Sequence, residues 1–506
     1  MRASIRIAGG CLAACALSST GTGVAAARPV PTAQVQMPTT DQAPWREMAR
    51  IDLDFATALI RSQYIGAVYP DPASFAKTVE AARMQALRDL PKVGSFAGYR
   101  ALLKRFINSF DDEHIGISFF VMQSRLSWPG FLATYQGHRY LTSATSGGDI
   151  HDGSEITSCD GVPVETWVER IAQFEGGHAG LESTRASSAT AMFVDAGNPF
   201  VMRSAACVID GVSHPLAWRP LPLAEHLANV RASSGSVTRE TRISDFSTDG
   251  AWVRLGIFQP DSPEEARAFH AVIADAARIR NKSVIVLDVR GNGGGPYNWF
   301  MAFLRGLYGD AYADYYARAR LAIRAVHRAT PEILASYRAS DAQGGAVEEP
   351  LDLPRGGGTG EDPVNAGIEE ALKQGRPWYR NAATPLPRPT DRAPPNPVRA
   401  KVYVLTDYRC GSACISFVDE LKLFPGVTQI GQDTFVDERT GTPLGMPLPS
   451  GNGRVSAATM TRDGRVRGDA VPQKPTYAFD GNIGDDAKVR EWIERVVIPS
   501  DRSGAR

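Results

Sequence analysis

Residues 402–421 read VYVLTDYRCGSACISFVDEL. The first five are β-branched, aromatic or aliphatic, as in a strand buried on both faces. The last nine place Ile415, Phe417, Val418 and Leu421 at helical spacing. A strand therefore enters a helix through a short turn, and Ser412 stands at that helix's cap or first turn. Serine is a favoured cap, and most serines so placed do nothing else. The chemical alternative is a nucleophile whose anionic transition state is stabilised by the helix dipole and by the N–H of Ala413. Position alone does not choose between them.

A second junction of the same kind precedes it. VLDVRGNGGGPYNWF, residues 286–300, runs a buried strand into Gly291, Asn292, Gly293, Gly294 and Gly295 and then a helix. Glycines there allow a sharp turn and leave N–H groups free to face a negatively charged oxygen. A plain flexible turn is the competing reading. A phosphate-binding loop is excluded, because the G-K-[ST] ending is missing.

Working outward, residues 46–117 read as an N-terminal helical region. Met48, Ile51, Phe55, Leu59 and Ile60 fall on one expected face, Phe75, Val79, Ala82, Ala86 and Leu90 on another, and GYRALLKRFINSF is a third helix ending at the acidic turn DDEH. Residues 118–225 alternate short β-prone runs with Gly, Asp and Pro turns, a β-rich domain. Within it EITSCDGVPV spells strand, Asp-Gly turn, strand. Residues 238–500 alternate strands and helices as an α/β core. Inside that core, 340–398 is glycine- and proline-rich and reads as a surface excursion. The fold class expected is a multidomain α/β protein.

The 506 residues carry 55 basic and 55 acidic side chains, with no long run of either sign. That balance argues against nucleic acid or an anionic membrane as main partner. No apolar stretch beyond the first thirty residues is long enough to span a bilayer. Residues 1–27 have the basic start, apolar core and small-residue end of a cleaved signal peptide, followed by a Pro/Ala/Thr linker at 28–45. LAAC at 12–15 competes as a lipobox with Cys15 as lipid anchor. Either way the chain is expected to be exported, periplasmic or secreted. Cys159, Cys207, Cys410 and Cys414 remain for a disulfide-permissive compartment. Three pairings are open, of which 159–207 with 410–414 is the most local, and free buried thiols are the alternative.

Taken together, LDVRGNGGG, VLTDYRCGSACISF and the later IGQDT resemble the S41 family of serine peptidases. That family includes C-terminal processing (tail-specific), tricorn-type and chlamydial secreted proteases. Ser412, Ala413 and Phe417 match its nucleophile segment, while Ile415 stands where the family often has Glu. The resemblance implies a ClpP/crotonase-like catalytic core, a PDZ-like identity for the β-rich domain, peptide or protein substrates, and no metal or cofactor. Ser412 would be the nucleophile. The lysine that some members use as base is replaced by Asp437 in TFVDERTG, and Lys422 lies ten residues down the helix. The His-type members instead draw a histidine from a D-x-H segment, here Asp112, Glu113 and His114. Asp469 is the expected orienting acid, with Asp437 and Glu438 as rivals. Gly294 and Ala413 are the expected oxyanion donors, with Gly293 or Gly295 as alternatives to Gly294. Asp288 and Arg290 are expected to fix the glycine loop by an internal ion pair. A non-catalytic ligand-binding protein on the same fold is the other reading.

Overall fold

The computed structural model describes residues 44–504 except 121–124, 179, 235–237, 318–322, 344–362, 383–391, 437–439 and 466. The expected signal peptide, Cys15, Asp437 and Glu438 lie outside these residues.

Three helices lead, Trp45–Gln63, Pro72–Asp89 and Phe96–Asn108. Asp71 and Ser95 cap the second and third, their side-chain oxygens accepting the N–H groups of Ser74 and Gly98. The second helix buries Val79, Ala82 and Ala86, as its spacing predicts. The first helix departs in part from expectation: Leu59 and Ile60 are buried as expected, but Ala49, Leu53 and Ala56 share their face while Ile51 is exposed. Asp52 shares the buried face because its carboxylate accepts Tyr99 Oη at 2.6 Å and Ser450 N–H at 3.0 Å. Small residues and one paired carboxylate set the face, which a count of large apolar residues rotates.

The β-rich region follows. Leu132–Gln136 pairs with Arg139–Ser143, and Val162–Pro163, Ile156–Cys159, Ala206–Ile209 and Val212–Pro215 form an antiparallel sheet in that order. The Asp160-Gly161 turn has φ 50° and 74°, so both central residues adopt the left-handed conformation a tight hairpin needs. Cys159 sits opposite Cys207 across the sheet, and the two are bridged. Helices Val164–Glu175 and Glu182–Met192 close over an apolar cluster that includes Phe131, Tyr140, Trp167 and Phe193.

The α/β core is a six-stranded sheet ordered Thr241–Phe246, Gly250–Leu255, Val284–Asp288, Lys401–Thr406, Val427–Gly431 and Tyr477–Ala478, parallel except for the first pair. Period-two alternation divides it. Ile285, Leu287, Val402 and Val404 face one apolar cluster, and Val284, Val286, Tyr403 and Leu405 face the other. The second cluster is covered by Val489, Ile493 and Val497 from the C-terminal helical segment. Since Asp288 and Leu405 are register partners, the two strand-to-helix junctions lie side by side.

A second, antiparallel sheet orders Gly116–Phe119, Gly453–Asp463, Arg324–Arg328 and Trp378–Arg380, with Thr440–Pro447 also on Gly453–Asp463. Here the expected excursion is corrected. Part of it is ordered as helix Pro363–Lys373 and strand Trp378–Arg380, and the helix buries Asn365, Ile368 and Ala371. The Gly- and Pro-rich flanks masked an amphipathic segment, VNAGIEEALK. Among the described residues no helix is long and apolar enough to cross a membrane.

Candidate active site

Helix Ala413–Leu421 begins at Ser412, whose backbone sits at φ 50° and ψ −120°. This is outside the left-handed well a non-glycine residue visits (φ ~+57°, ψ ~+47°), a conformation costing on the order of 1–3 kcal/mol. The side chain makes no capping hydrogen bond. Ser412 is therefore not placed there as an ordinary cap.

What holds the strained turn is a dense set of contacts. Cys410 and Cys414, both fully buried, are bridged across it. Gly411 N–H donates to Asn292 C=O at 3.1 Å, and Phe435 N–H donates to Cys410 C=O at 3.1 Å. Asp407, fully buried, accepts Gly291 N–H at 2.9 Å and Arg409 N–H at 3.1 Å through one oxygen. Its carboxyl is pushed up by burial, against the pull of those N–H groups and the Arg409 charge. Asn292 is buried and ties the glycine loop inward, donating to Leu255 C=O at 2.8 Å. Asp407 was not singled out from the sequence; its signal is a polar residue directly after the buried strand run Lys401–Thr406. Asn292 was read only as a member of the glycine loop, without this role.

The glycine loop touches the nucleophile turn at Gly294. A Cβ there would lie 2.8 Å from Ala413 N and 2.9 Å from Ser412 Cβ, so only glycine fits. Gly294 N–H, however, donates to Asn292 Oδ1 at 2.8 Å. Gly294 thus supplies close approach, and its N–H is not open for an oxyanion. Among the described residues, no backbone hydrogen bond engages the N–H of Gly293, Gly295 or Ala413, which leaves those three as donors.

Below the loop, Arg290 forks onto Asp288 at 2.9 and 2.7 Å, and Arg254 and Trp252 Nε1 close on the same carboxylate. Burial alone would raise the Asp288 pKa. The Arg290 hydrogen bonds and the charges of Arg290 and Arg254 reverse that and hold it low. The pair is buried and braces the loop from within.

His114 lies between helix Phe96–Asn108 and strand Gly116–Phe119. Its N–H donates to Asp112 Oδ1 at 2.8 Å, and its Nδ1 is 3.4 Å from Thr440 Oγ1 and 3.9 Å from Asp112 Oδ1. Thr440 Oγ1 donates to Asp112 at 2.8 Å, and Tyr64 Oη donates to the same carboxylate at 2.6 Å. With its proton on Asp112, Thr440 is left to accept Nδ1–H, and that network assigns Nε2 as the unprotonated nitrogen. Asp112 and Thr440 are thus the groups on the imidazole. Asp469 instead pairs with Arg465 at 3.0 Å. Thr440 was missed from the sequence because it comes from a strand more than three hundred residues away.

The structure does not bring Ser412 and His114 into hydrogen-bond contact among the described residues. A short tether relates them: Phe435 hangs on Cys410, and five residues of chain, at most ~18 Å, lead from it to Thr440. Lys422 donates to Gln473 at 2.6 Å and belongs to the far end of its helix.

No family model matches the sequence, and no curated protein matches it. Solved structures do. Mature CPAF complexed with lactacystin is similar over 90% of this chain and 99% of its own, at 16% identity and a TM-score of 0.56. A serine-to-alanine mutant of CPAF covers 90% of this chain and 98% of its own, at 14% identity and a TM-score of 0.55. The chain has the fold of these CPAF structures. At these identities the likeness is one of fold, so the chemistry of this chain must rest on its own residues.

Proposed function

We propose that the protein is an exported serine endopeptidase that cuts peptide bonds of extracytoplasmic proteins or peptides. The observation that carries this reading is Ser412 itself, held at φ 50° and ψ −120° on a strand-to-helix turn with its hydroxyl uncommitted to a cap. A strained, braced serine beside a glycine loop has no use as a plain helix start.

Ser412 Oγ attacks the peptide carbonyl as His114 Nε2 takes its proton, and the same proton passes to the leaving amine. Asp112 and Thr440 keep Nδ1 protonated and stabilise the imidazolium. The oxyanion is met by Ala413 N–H and by Gly293 or Gly295 N–H. Water then hydrolyses the acyl-enzyme with His114 as base. The Ser412–His114 hydrogen bond belongs to the substrate complex, where such contacts tighten. Two bridged cysteine pairs fit an oxidising compartment. The β-rich region is read as a PDZ-like unit that docks extended substrate.

A second reading, a ligand-binding protein on this fold, is favoured by one observation, the missing Ser412–His114 contact. Digestion of an unfolded protein, read by mass spectrometry, separates the two. The peptidase reading expects cleavage by the wild type and none by Ser412→Ala or His114→Ala. Cleavage by Ser412→Ala, or silence from the wild type, overturns it.

A further inference from the structure

Between the β-rich region and the core lies a cavity of about 670 Å³, within the size range of ligand sites. Its walls include Tyr135, Thr190 and His226 on one side and Tyr408, Arg409 and Phe435 on the other. Phe435 connects it to the nucleophile turn: its N–H bonds Cys410 C=O, and its ring lies 3.6 Å from where a Cβ of Gly411 would stand. Ser412 is not among its walls, but Arg409 stands three residues before Ser412 in the chain, so the cavity borders the segment that leads into the nucleophile turn.

Its charges are not all balanced. Glu175, on the rim, is paired with Lys104 at 2.9 Å. Asp407 is buried and takes two backbone N–H groups. Arg100 stacks on Phe119. Arg409 is exposed, and its charge acts on the buried Asp407 carboxyl, but among the described residues its guanidinium makes no ion pair or hydrogen bond. Carboxylates do lie near its neighbour Tyr408, namely Glu182, Asp433 and Asp480. Glu182 is itself matched by Arg185 at 2.9 Å and His138 at 3.3 Å. None of the three stands within ion-pair distance of Arg409. The backbone of Arg409 is meanwhile fixed, since its N–H and that of Gly291 share one oxygen of Asp407. A guanidinium held on a rigid root, with its fork unfilled, is a receptor for a carboxylate.

We propose that Arg409 is a specificity determinant that takes an acidic side chain of the polypeptide, an Asp or Glu within a few residues of the bond cut. This inference rests on the peptidase reading for its setting, but the cavity's choice of ligand can be tested without catalysis. Quenched fluorescent peptides differing only in Glu, Gln or Lys at one scanned position are cleaved by wild type, Arg409→Met, Arg409→Lys and Arg409→Glu. The same peptides are titrated by fluorescence anisotropy against Ser412→Ala and Ser412→Ala/Arg409→Met.

The expected result is a roughly tenfold lower KM for the Glu peptide than for its Gln twin. Arg409→Met removes that preference, Arg409→Lys keeps part of it, and Arg409→Glu transfers it to the Lys peptide. Wild-type cleavage with no Glu preference, or one unchanged in Arg409→Met, overturns the proposal and leaves the peptidase reading intact. No cleavage by any variant, with Glu-selective binding to Ser412→Ala that Arg409→Met abolishes, sinks the peptidase reading and keeps the role of Arg409. Absence of Glu-selective cleavage and binding alike overturns the proposal.

Discussion

Asp112 is nearly enclosed, with only 5% of its side chain exposed, and it gathers Tyr64, Thr440 and the His114 N–H onto one carboxylate. In the proposed mechanism it positions the imidazole through Thr440, without touching substrate. Asp112→Asn should lower kcat roughly ten- to a hundredfold, the lower part of what a general base supplies, and leave KM nearly unchanged. No change of pH should restore the lost kcat, because the wrong imidazole tautomer carries the same number of protons as the right one. Steady-state kinetics on one peptide across pH checks this. A rise in KM at constant kcat would mean that Asp112 serves substrate binding instead. At this scale the sequence was partly legible. Ser412 and His114 each sit in a motif, whereas the partner of the imidazole arrives from a strand whose approach no local pattern announces.

At the scale of elements, the two disulfides have different weights. Cys159–Cys207 closes 48 residues of chain, and Cys410–Cys414 closes four. On loop-closure entropy the first is worth about 4 kcal/mol and the second about 2 kcal/mol. Cys159→Ala/Cys207→Ala should therefore lose more in Tm while a surviving folded fraction keeps its turnover. Cys410→Ala/Cys414→Ala should lose less in Tm and more in kcat, because its bridge spans the strained Ser412. Calorimetry and kinetics on the two double variants test the contrast, and equal kcat in both would show that the short bridge is not needed for the turn. Element by element, the strands of the core were read from β-branched runs, and the Asp160-Gly161 hairpin from its dipeptide. Helix Pro363–Lys373 was hidden by the glycines and prolines around it. The first helix was rotated because Ala49 and Ala56, small enough for close packing, carry little weight in a hydrophobic count.

For the whole molecule, pH is the probe that reads tertiary burial. His327, on a strand of the second sheet, is 6% exposed, and burial, helped by the Arg462 charge and opposed by Asn381, pushes its pKa down to about 4. The unfolded chain protonates the same group near pH ~6.5. Above that pH both states are neutral there and stability is flat. Between about 6.5 and 4 only the unfolded state binds the proton, so stability falls with pH, by a total of about 3 kcal/mol from this group. Urea midpoints should thus drop less between pH 7 and 4 in His327→Gln than in wild type, and an identical drop would refute the assignment. The large-scale arrangement was the least legible part. That both glycine- and serine-bearing junctions close parallel, neighbouring strands follows from Asp288 meeting Leu405, a pairing across more than a hundred residues. The sheet that carries His114 and Thr440 to one place is equally non-local.

A nucleophilic Ser412 must become acylated during turnover. An ester or peptide substrate is turned over, the reaction is quenched in acid within the steady state, and the protein is mapped by mass spectrometry. The acyl mass is expected on the peptide that contains Ser412, and should be lost in Ser412→Ala. Substrate hydrolysis that continues with Ser412 unmodified, or with the acyl group on another residue, would contradict it.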